Sequence, residues 1–242
     1  MTNLLKLIKE RQSSRVPFDP KHPISKTALD QILEAGKWSP TAHNMQNFEV
    51  LVVDDKKIID RIRHFDYSVT NAFIQENYLQ LRFSEKDLKK KKTGVLATMF
   101  PKSWQTPNLI PEHELHHGQE AVKESHNQLL PCPVLIIILY NPALRAPASK
   151  NDFLGIMSLG CVLENMWLMA SSLGIGFHVV SALGEGRSGK KIKQLLKIPE
   201  QLNIAVSFRL GYPLNSPGYL RVRRDAHHFT HHNVYERKKQ PG

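Results

Sequence analysis

Apolar residues recur at helical spacing in two segments near the N-terminus. An N-terminal helix is expected to end before Pro17, and a second helix is predicted over 26–37 with Ser25 as its N-cap. Residues 152–173 are apolar on nearly every side, so they predict a central helix that ends at Gly174. The apolar positions that share a face are Leu4, Leu5 and Ile8 in the first helix, and Leu29, Ile32 and Leu33 in the second.

Mainly apolar runs that include β-branched residues predict buried strands elsewhere. These runs are Phe48–Val53, Val134–Leu139, Phe177–Val180 and Ala205–Leu210. Helices and strands therefore alternate irregularly, which favours an α+β fold.

Neither an internal repeat nor a clear linker divides the chain, so one domain over 1–242 is predicted. The segment 54–130 has the least regular pattern, with a helix expected after Asp54, and is interpreted as a variable insertion. Residues 213–242 are basic and rich in histidine, and lack a core pattern of their own, so they are interpreted as a C-terminal arm.

Composition narrows the class of protein. The chain has 242 residues, 41% of them hydrophobic, which excludes a disordered chain. Its net charge of +11 favours anionic partners such as phosphorylated cofactors. Two cysteines cannot build a disulfide framework, no unbroken apolar run approaches the length of a membrane span, and no signal peptide is evident. A cytoplasmic protein is expected.

Three segments carry candidate binding chemistry. Residues 11–15 place two arginines around hydroxyl side chains, and arginine forks match the oxygens of a phosphate. Residues 39–48 form a polar turn before a strand, where small residues allow a flat ligand close to the backbone. Residues 155–176 combine the apolar helix with glycines that return the chain into a strand. Taken singly, the first segment is also explained as a solvated basic patch, the second as a capped connection between a helix and a strand, and the third as a core helix with a glycine cap.

In this order and spacing the segments resemble the FMN-dependent nitroreductase family. The resemblance rests on Arg-x-Ser-x-Arg, the Ser-Pro-Thr-Ala-His-Asn-x-Gln turn, the helix with Glu164-Asn165 and Leu173-Gly174, VSFRLGY, and Arg221-x-Arg223. It implies an α/β/α sandwich, in which helices cover both faces of a central, mainly antiparallel mixed sheet. It also implies an intertwined homodimer with FMN in each of two interface sites. It also implies a ping-pong cycle in which NAD(P)H reduces the flavin and an electron-poor acceptor, such as a nitroaromatic or a quinone, takes the electrons.

The resemblance also implies roles for individual residues. The FMN phosphate and ribityl chain would be held by Arg11, Gln12, Ser13, Arg15, Arg221 and Arg223. A turn from the partner subunit, with Pro40, Thr41, Ala42 and Asn44, would lie against the flavin ring, and Asn71 is a further ring contact. Backbone at Val180, Ser181 and Ala182 would approach flavin N5. No catalytic acid or base and no metal ligand is assigned, since the cofactor carries the chemistry.

The insertion is expected to cap the substrate face. Its aromatic side chains suit stacking on a flat acceptor, although they would serve equally to bury the insertion's own helices. These aromatics are Tyr67, Phe73, Tyr78, Phe83, Phe100 and Trp104.

Two other functions are compatible with short motifs. His113, Glu114 and His117 fit the H-E-x-x-H pattern of zinc hydrolases, but their flanks lack the apolar stripe of a core helix. The run 89–92 of lysines is typical of nucleic-acid contacts, yet no nucleic-acid-binding module surrounds it. The histidine pairs at 227–228 and 231–232 are interpreted as exposed imidazoles without a metal site.

Overall fold

The structure is a computed structural model that describes residues 3–65, 74, 76, 78–99, 129–184, 186–215 and 218–235. Contacts group the chain into two compact units, residues 1–67 with 127–217, and residues 68–126 with 218–242. The first unit contains helices α1 (Asn3–Glu10), α2 (Lys26–Lys37) and α3 (Lys56–Arg63), and strand β1 (Glu49–Val53). The second unit contains β2 (Arg82–Phe83), α4 (Glu85–Lys91) and β3 (Val95–Leu96).

The first unit continues with β4 (Val134–Tyr140), α5 (Phe153–Ser172), β5 (Gly176–Val179), α6 (Gly186–Leu195) and β6 (Asn203–Gly211). All four predicted strands and all four predicted helices are therefore found, and most of their ends are shifted by a few residues. The helix expected after Asp54 is α3, and Asp55 caps it by accepting hydrogen bonds from the Lys57 and Ile58 amides. Ser25 caps α2 as predicted, since its hydroxyl accepts from the Ala28 amide at 3.2 Å.

The main sheet has the strand order β1-β4-β6-β5, and each neighbouring pair is antiparallel. Alternate residues of β4 enter two cores, because successive side chains point to opposite faces of a sheet. Val134, Ile136 and Ile138 pack with residues of α2 and α5. Leu135, Ile137 and Leu139 pack with residues of α3 and α6. The predicted antiparallel α+β fold is confirmed, and the single-domain boundaries stay a prediction.

Helix α5 departs from the expectation that every side would be buried. Leu159, Val162, Met166 and Ala170 belong to the core of the first unit. On other positions of the same helix, Phe153 is 65% exposed and Met157 is 54% exposed. By length and composition α5 could cross a membrane, and 22% of its most apolar stretch is buried. The buried residues pack against strands of the main sheet.

In the second unit, β2 and β3 pair in parallel and α4 follows Ser84, whose hydroxyl accepts from the Asp87 amide. Leu88 is the buried residue of α4. Lysines 89–92 are exposed; Lys89 pairs with Glu85, and the Lys91 ammonium lies 5.1 Å from the Phe83 ring centroid. The lysine run is therefore a solvated helix face with local partners.

Candidate active site

The Arg-x-Ser-x-Arg segment lies alongside the edge strand β5. After α1 ends, Ser13 forms a parallel bridge with Phe177, and the Ser14 amide donates to the Phe177 carbonyl at 2.8 Å. Ser14 is buried, whereas Arg15 is exposed. Backbone pairing thus fixes the register of the segment and leaves the Arg15 side chain at the surface, where it can meet a ligand.

A buried arginine of β6 holds this segment from the sheet side. The Nη2 of Arg209 donates to the carbonyls of Ser14 at 2.9 Å and Val16 at 2.8 Å. Its guanidinium also lies 4.1 Å from the centroid of the Phe18 ring. Arg209 is fully buried, so these charge-assisted hydrogen bonds form away from water, where they are strong. The arginine therefore positions the chain on either side of Arg15.

His178 is the cross-strand neighbour of this buried arginine and is itself half-buried. Its Nδ1 accepts a hydrogen bond from Arg209 Nε at 3.0 Å. Burial, followed by the positive charges of Arg209 and Arg15, lowers the pKa of His178 to about 3. The imidazole is consequently neutral at physiological pH. Because Nδ1 is the acceptor, Nε2 carries the ring proton and is a donor.

Arg11 is engaged by helix α5. Its Nε lies 3.0 Å from the Glu164 carboxylate, and its guanidinium carbon lies 4.4 Å from the Trp167 ring centroid. The ring of Trp167 stacks on Phe177 with centroids 4.9 Å apart. Among the residues that the structure describes, the buried Trp167 Nε1 has no hydrogen-bond acceptor. The Arg11 guanidinium and the Trp167 N–H donor thus lie next to each other beside β5, an arrangement that suits an anionic ligand.

The polar turn 39–46 contacts α5 through a different set of positions. The Ala42 amide donates to Ser158 Oγ at 3.0 Å, and Asn165 Nδ2 donates to Ser39 Oγ at 2.9 Å. At 100° per residue, Ser158 and Asn165 share a side of α5 that Glu164 and Trp167 do not. Within one chain, the predicted ring-contact turn and Arg11 therefore face different sides of the helix.

This turn carries unusual backbone strain. His43, Asn44 and Gln46 have φ angles of 53°, 51° and 48°, in the left-handed region that side chains disfavour. The Gln46 amide donates to Thr41 Oγ1 at 3.1 Å, which helps to hold the turn. Asn47 Nδ2 donates to the Asn141 carbonyl at 2.8 Å. Strain maintained by such contacts is typical of functional turns.

At the end of β5, the backbone predicted to approach the flavin is only partly available. The Val180 amide donates to the Ser207 carbonyl at 2.7 Å, and Ser207 Oγ donates back to the Val180 carbonyl. A 3-10 turn, Ser181–Gly184, follows. The N–H of Val180 is used within the sheet, so the predicted role falls to Ser181 and Ala182.

The remaining predicted residues lie in the second unit or outside the described residues. Arg221 and Arg223 are exposed in the second unit, and Arg223 Nη1 donates to the Val222 carbonyl at 2.7 Å. Asn71 lies outside the described residues, and so does the H-E-x-x-H motif at 113–117. Of the six insertion aromatics, Tyr78 and Phe83 are within the described part of the chain.

A cavity of about 680 Å³ in the first unit contains none of the predicted cofactor residues. Phe18, Ile59 and Cys132 contribute to its apolar lining. Burial raises the pKa of the Cys132 thiol to about 12, so this cysteine is not a poised nucleophile. Phe18 links this cavity to the predicted site, because it lines the cavity and its ring packs against the Arg209 guanidinium.

Comparison with known proteins decides the family. The sequence model of the Nitroreductase family matches residues 8–212, which include the docked arginine segment, the strained turn, α5 and the main sheet. This chain belongs to the Nitroreductase family. The resemblance found in the sequence is thereby confirmed, and so is the class of enzyme, an FMN-dependent NAD(P)H oxidoreductase.

Individual relatives of this nitroreductase-family protein are distant. A putative NAD(P)H nitroreductase of Staphylococcus epidermidis is 22% identical over 215 residues, covering 86% of this chain and 87% of the relative. An NADPH-flavin oxidoreductase of Vibrio harveyi is 28% identical over 96 residues, which are 40% of this chain and 39% of the relative.

Solved structures share the fold. A Bacteroides fragilis nitroreductase with bound FMN superposes with a TM-score of 0.57 at 21% identity, covering 97% of this chain and 100% of that one. The Vibrio harveyi NADPH:FMN oxidoreductase complexed with NAD⁺ gives a TM-score of 0.60 at 17% identity, covering 98% and 80%.

Three residues of the site were not recognised from the sequence. Arg209 lies in a strand that otherwise reads as apolar, and an arginine among buried residues is the signal that could have drawn attention to it. His178 follows Phe177 and therefore points to the opposite face of β5. On that face it is paired with Arg209 of the neighbouring strand β6. Trp167 follows Glu164 by three positions on α5, so the two side chains are neighbours on the helix.

Proposed function

We propose that this protein binds FMN and passes electrons from NADH or NADPH to an electron-poor small molecule, such as a nitroaromatic or a quinone, in a ping-pong cycle. The observation that carries the proposal is the docking of residues 11–16 along β5 with Arg209 beneath them. Family membership supports the cofactor and the nucleotide. The choice of acceptor and the kinetic order are the new parts of the proposal.

The described residues fit a flavin phosphate. Arg15 is exposed on a rigidly paired segment, and Arg11 lies beside the unused Trp167 Nε1 donor. In the proposal, Arg11, Gln12, Ser13 and Arg15 hold the phosphate and the ribityl hydroxyls. Glu164 holds the Arg11 guanidinium in place and keeps it oriented. Arg221 and Arg223 keep the same role as a family-based prediction.

When bound, FMN would supply the redox chemistry by carrying electrons from NAD(P)H to the acceptor. The chain itself orients the ring and excludes water. Ser181 and Ala182 come one residue after β5 and offer backbone N–H groups at the start of the 3-10 turn, a position where amides lack helical partners. Because His178 is neutral, it adds no third positive charge beside Arg15 and Arg209.

A second copy of the chain completes the site in this proposal. Phe153, Ile156 and Met157 form an exposed apolar face on α5, which an isolated chain leaves in water. The turn with Pro40, Thr41, Ala42 and Asn44 contacts another side of the same helix from the one that Arg11 contacts. Pairing two α5 helices would cover the face and let the turn of one copy serve the arginines of the other, as in the intertwined α/β/α dimer expected from the sequence.

Two measurements test this function. Purified protein should be yellow and release FMN on acid denaturation, and light scattering should give the mass of a dimer. Arg15→Ala should weaken FMN binding about tenfold to a hundredfold, since hydrogen bonds to a charged group contribute roughly 1.5–3 kcal/mol. Lys90→Ala, an exposed lysine of α4, is the matched control and should bind normally.

Steady-state kinetics test the cycle and the acceptor. Double-reciprocal plots of rate against NADPH at several concentrations of a quinone or a nitroaromatic should be parallel. Intersecting lines would exclude the ping-pong order. A colourless protein that takes up no FMN on reconstitution would overturn the proposal as a whole.

A further inference from the structure

The C-terminal arm contains a cluster of metal-ligand side chains that the flavin chemistry does not use. Asp225, His227 and His228 each present a ligand atom, and these atoms lie within 4.8 Å of one another. The imidazole rings of His227 and His228 have centroids 4.0 Å apart. The sequence interpretation of these histidines as exposed imidazoles without a metal site did not include this convergence.

The backbone that carries the cluster is defined by hydrogen bonds. The residues belong to a 3-10 turn, Ala226–His228, that Asp225 precedes. The His228 amide donates to the Asp225 carbonyl at 2.9 Å, and the Phe229 amide donates to the Ala226 carbonyl at 3.1 Å. A single turn therefore supplies all three side chains, and its geometry is set before any ligand arrives.

Within the described parts of the chain, the Asp225 carboxylate and the His228 Nδ1 atom have no hydrogen-bond partner. Asp225 occupies the N-cap position, but its carboxylate makes no capping hydrogen bond. In the part of the chain that the structure describes, it also forms no ion pair. The Nδ1 atom of His228 is buried and, among the described residues, has no hydrogen-bond partner. A buried ring nitrogen without a partner costs free energy, which a bound cation would recover.

We propose that Asp225, His227 and His228 bind a divalent transition-metal ion of the Zn²⁺ class. Two imidazoles and one carboxylate suit such an ion, with a fourth position left for water. Bonds of about 2.1 Å around a tetrahedral ion place its ligand atoms roughly 3.4 Å apart. The three ligand atoms, which lie within 4.8 Å of one another, would have to approach by about an ångström, a shift that rotation about side-chain bonds can supply.

Neighbouring charges set the expected strength. Arg223 and Arg224 precede Asp225 directly, and their positive charges oppose a cation, so the ion should bind less tightly than at an acidic site. The Arg224 guanidinium carbon lies 5.7 Å from the Phe229 ring centroid, so the turn has an aromatic contact that does not involve the ligands. A bound ion would tie the turn together and raise the thermal stability of the protein.

The test uses full-length, tag-free protein that has been washed with chelator and titrated with Zn²⁺ in competition with a chromophoric chelator. Binding of one ion per chain is expected, and Co²⁺ should give a visible d–d spectrum with the same stoichiometry. Asp225→Asn, His227→Ala and His228→Gln should each weaken Zn²⁺ binding by about tenfold or more, as expected when a ligand is lost. Far-ultraviolet circular dichroism of each variant establishes that it is folded.

Two controls separate this site from dispersed histidines. His232→Ala removes an exposed imidazole of the same arm that is not in the cluster, and it should leave the affinity within about twofold. The double variant His113→Ala/His117→Ala removes the H-E-x-x-H motif and should also bind normally. Unchanged affinity in His228→Gln, or loss of binding in the double variant, would overturn the proposal.

Discussion

Replacement of Arg209 by methionine should destabilise the protein strongly, because this arginine joins the N-terminal segment to the sheet. Its guanidinium donates to two backbone carbonyls, those of Ser14 and Val16, and to the His178 ring. Methionine keeps an apolar stem of similar length but donates nothing. The three acceptors then lose their donor in a region where Ser14 and Arg209 itself are buried.

The size of the effect follows from those contacts. Hydrogen bonds to a charged group contribute roughly 1.5–3 kcal/mol each, and they are not additive. Removing the buried cation also removes its desolvation cost, which offsets part of the loss. We therefore expect the free energy of unfolding to fall by about 3–5 kcal/mol. For a chain of this length, that is a drop in Tm of roughly 6–20 °C.

Thermal unfolding followed by circular dichroism measures this drop. Arg145→Met is the matched control, because Arg145 is exposed and should tolerate the change within about 0.5 kcal/mol. Arg209→Lys keeps the charge but not the planar fork, so it should fall between the two. If Arg209→Met melted together with the Arg145→Met control, the assignment of Arg209 as the anchor of residues 14–16 would be wrong.

Three further predictions concern single sites. Because the pKa of His178 is lowered to about 3, the unfolded chain binds a proton between about pH 6.5 and 3 that the folded chain does not, and the free energy of unfolding falls as the pH drops through this range. In urea unfolding, His178→Asn should lessen this loss by up to about 1.4 kcal/mol per pH unit. Ser25→Ala removes the cap of α2 and should cost about 1 kcal/mol in the same assay. Gly211→Ala would place its Cβ 2.6 Å from Phe18 atoms, so we expect a lower Tm than for Gly160→Ala, where no atom lies within 4 Å.

Local patterns predicted the elements well, because their causes lie within a few residues. The cap of α2 depends on a serine three positions from the amide that it accepts, and the strand β4 is an unbroken apolar run. The sheet order β1-β4-β6-β5 depends on contacts between distant segments, which no local pattern encodes. The exposed side of α5 was not predicted for the same reason. The sequence shows how apolar the helix is, but which of its sides packs against other elements depends on distant segments.

The candidate site divides in the same way. Sequence motifs identified the arginine segment and the polar turn, and the structure shows one of them paired to β5 and the other strained. Sequence reasoning did not predict that the Val180 amide is used within the sheet, because its acceptor belongs to β6. Nor could it predict the convergence of Asp225 with His227 and His228, which depends on the direction that each side chain takes from a short turn.

The hydrogen bond between Arg209 and the Ser14 carbonyl spans 195 positions of sequence, and this separation has a consequence for biosynthesis. At about 5–20 residues per second, a ribosome needs on the order of ten seconds or more to reach Arg209 after it has made Ser14. For most of that time the arginine segment has neither β5 nor β6 to pair with, because β5 begins at Gly176 and β6 at Asn203. Residues 11–16 therefore dock late, after the sheet has formed, and refolding should be slow relative to helix formation because its closing step joins the two ends of the fold.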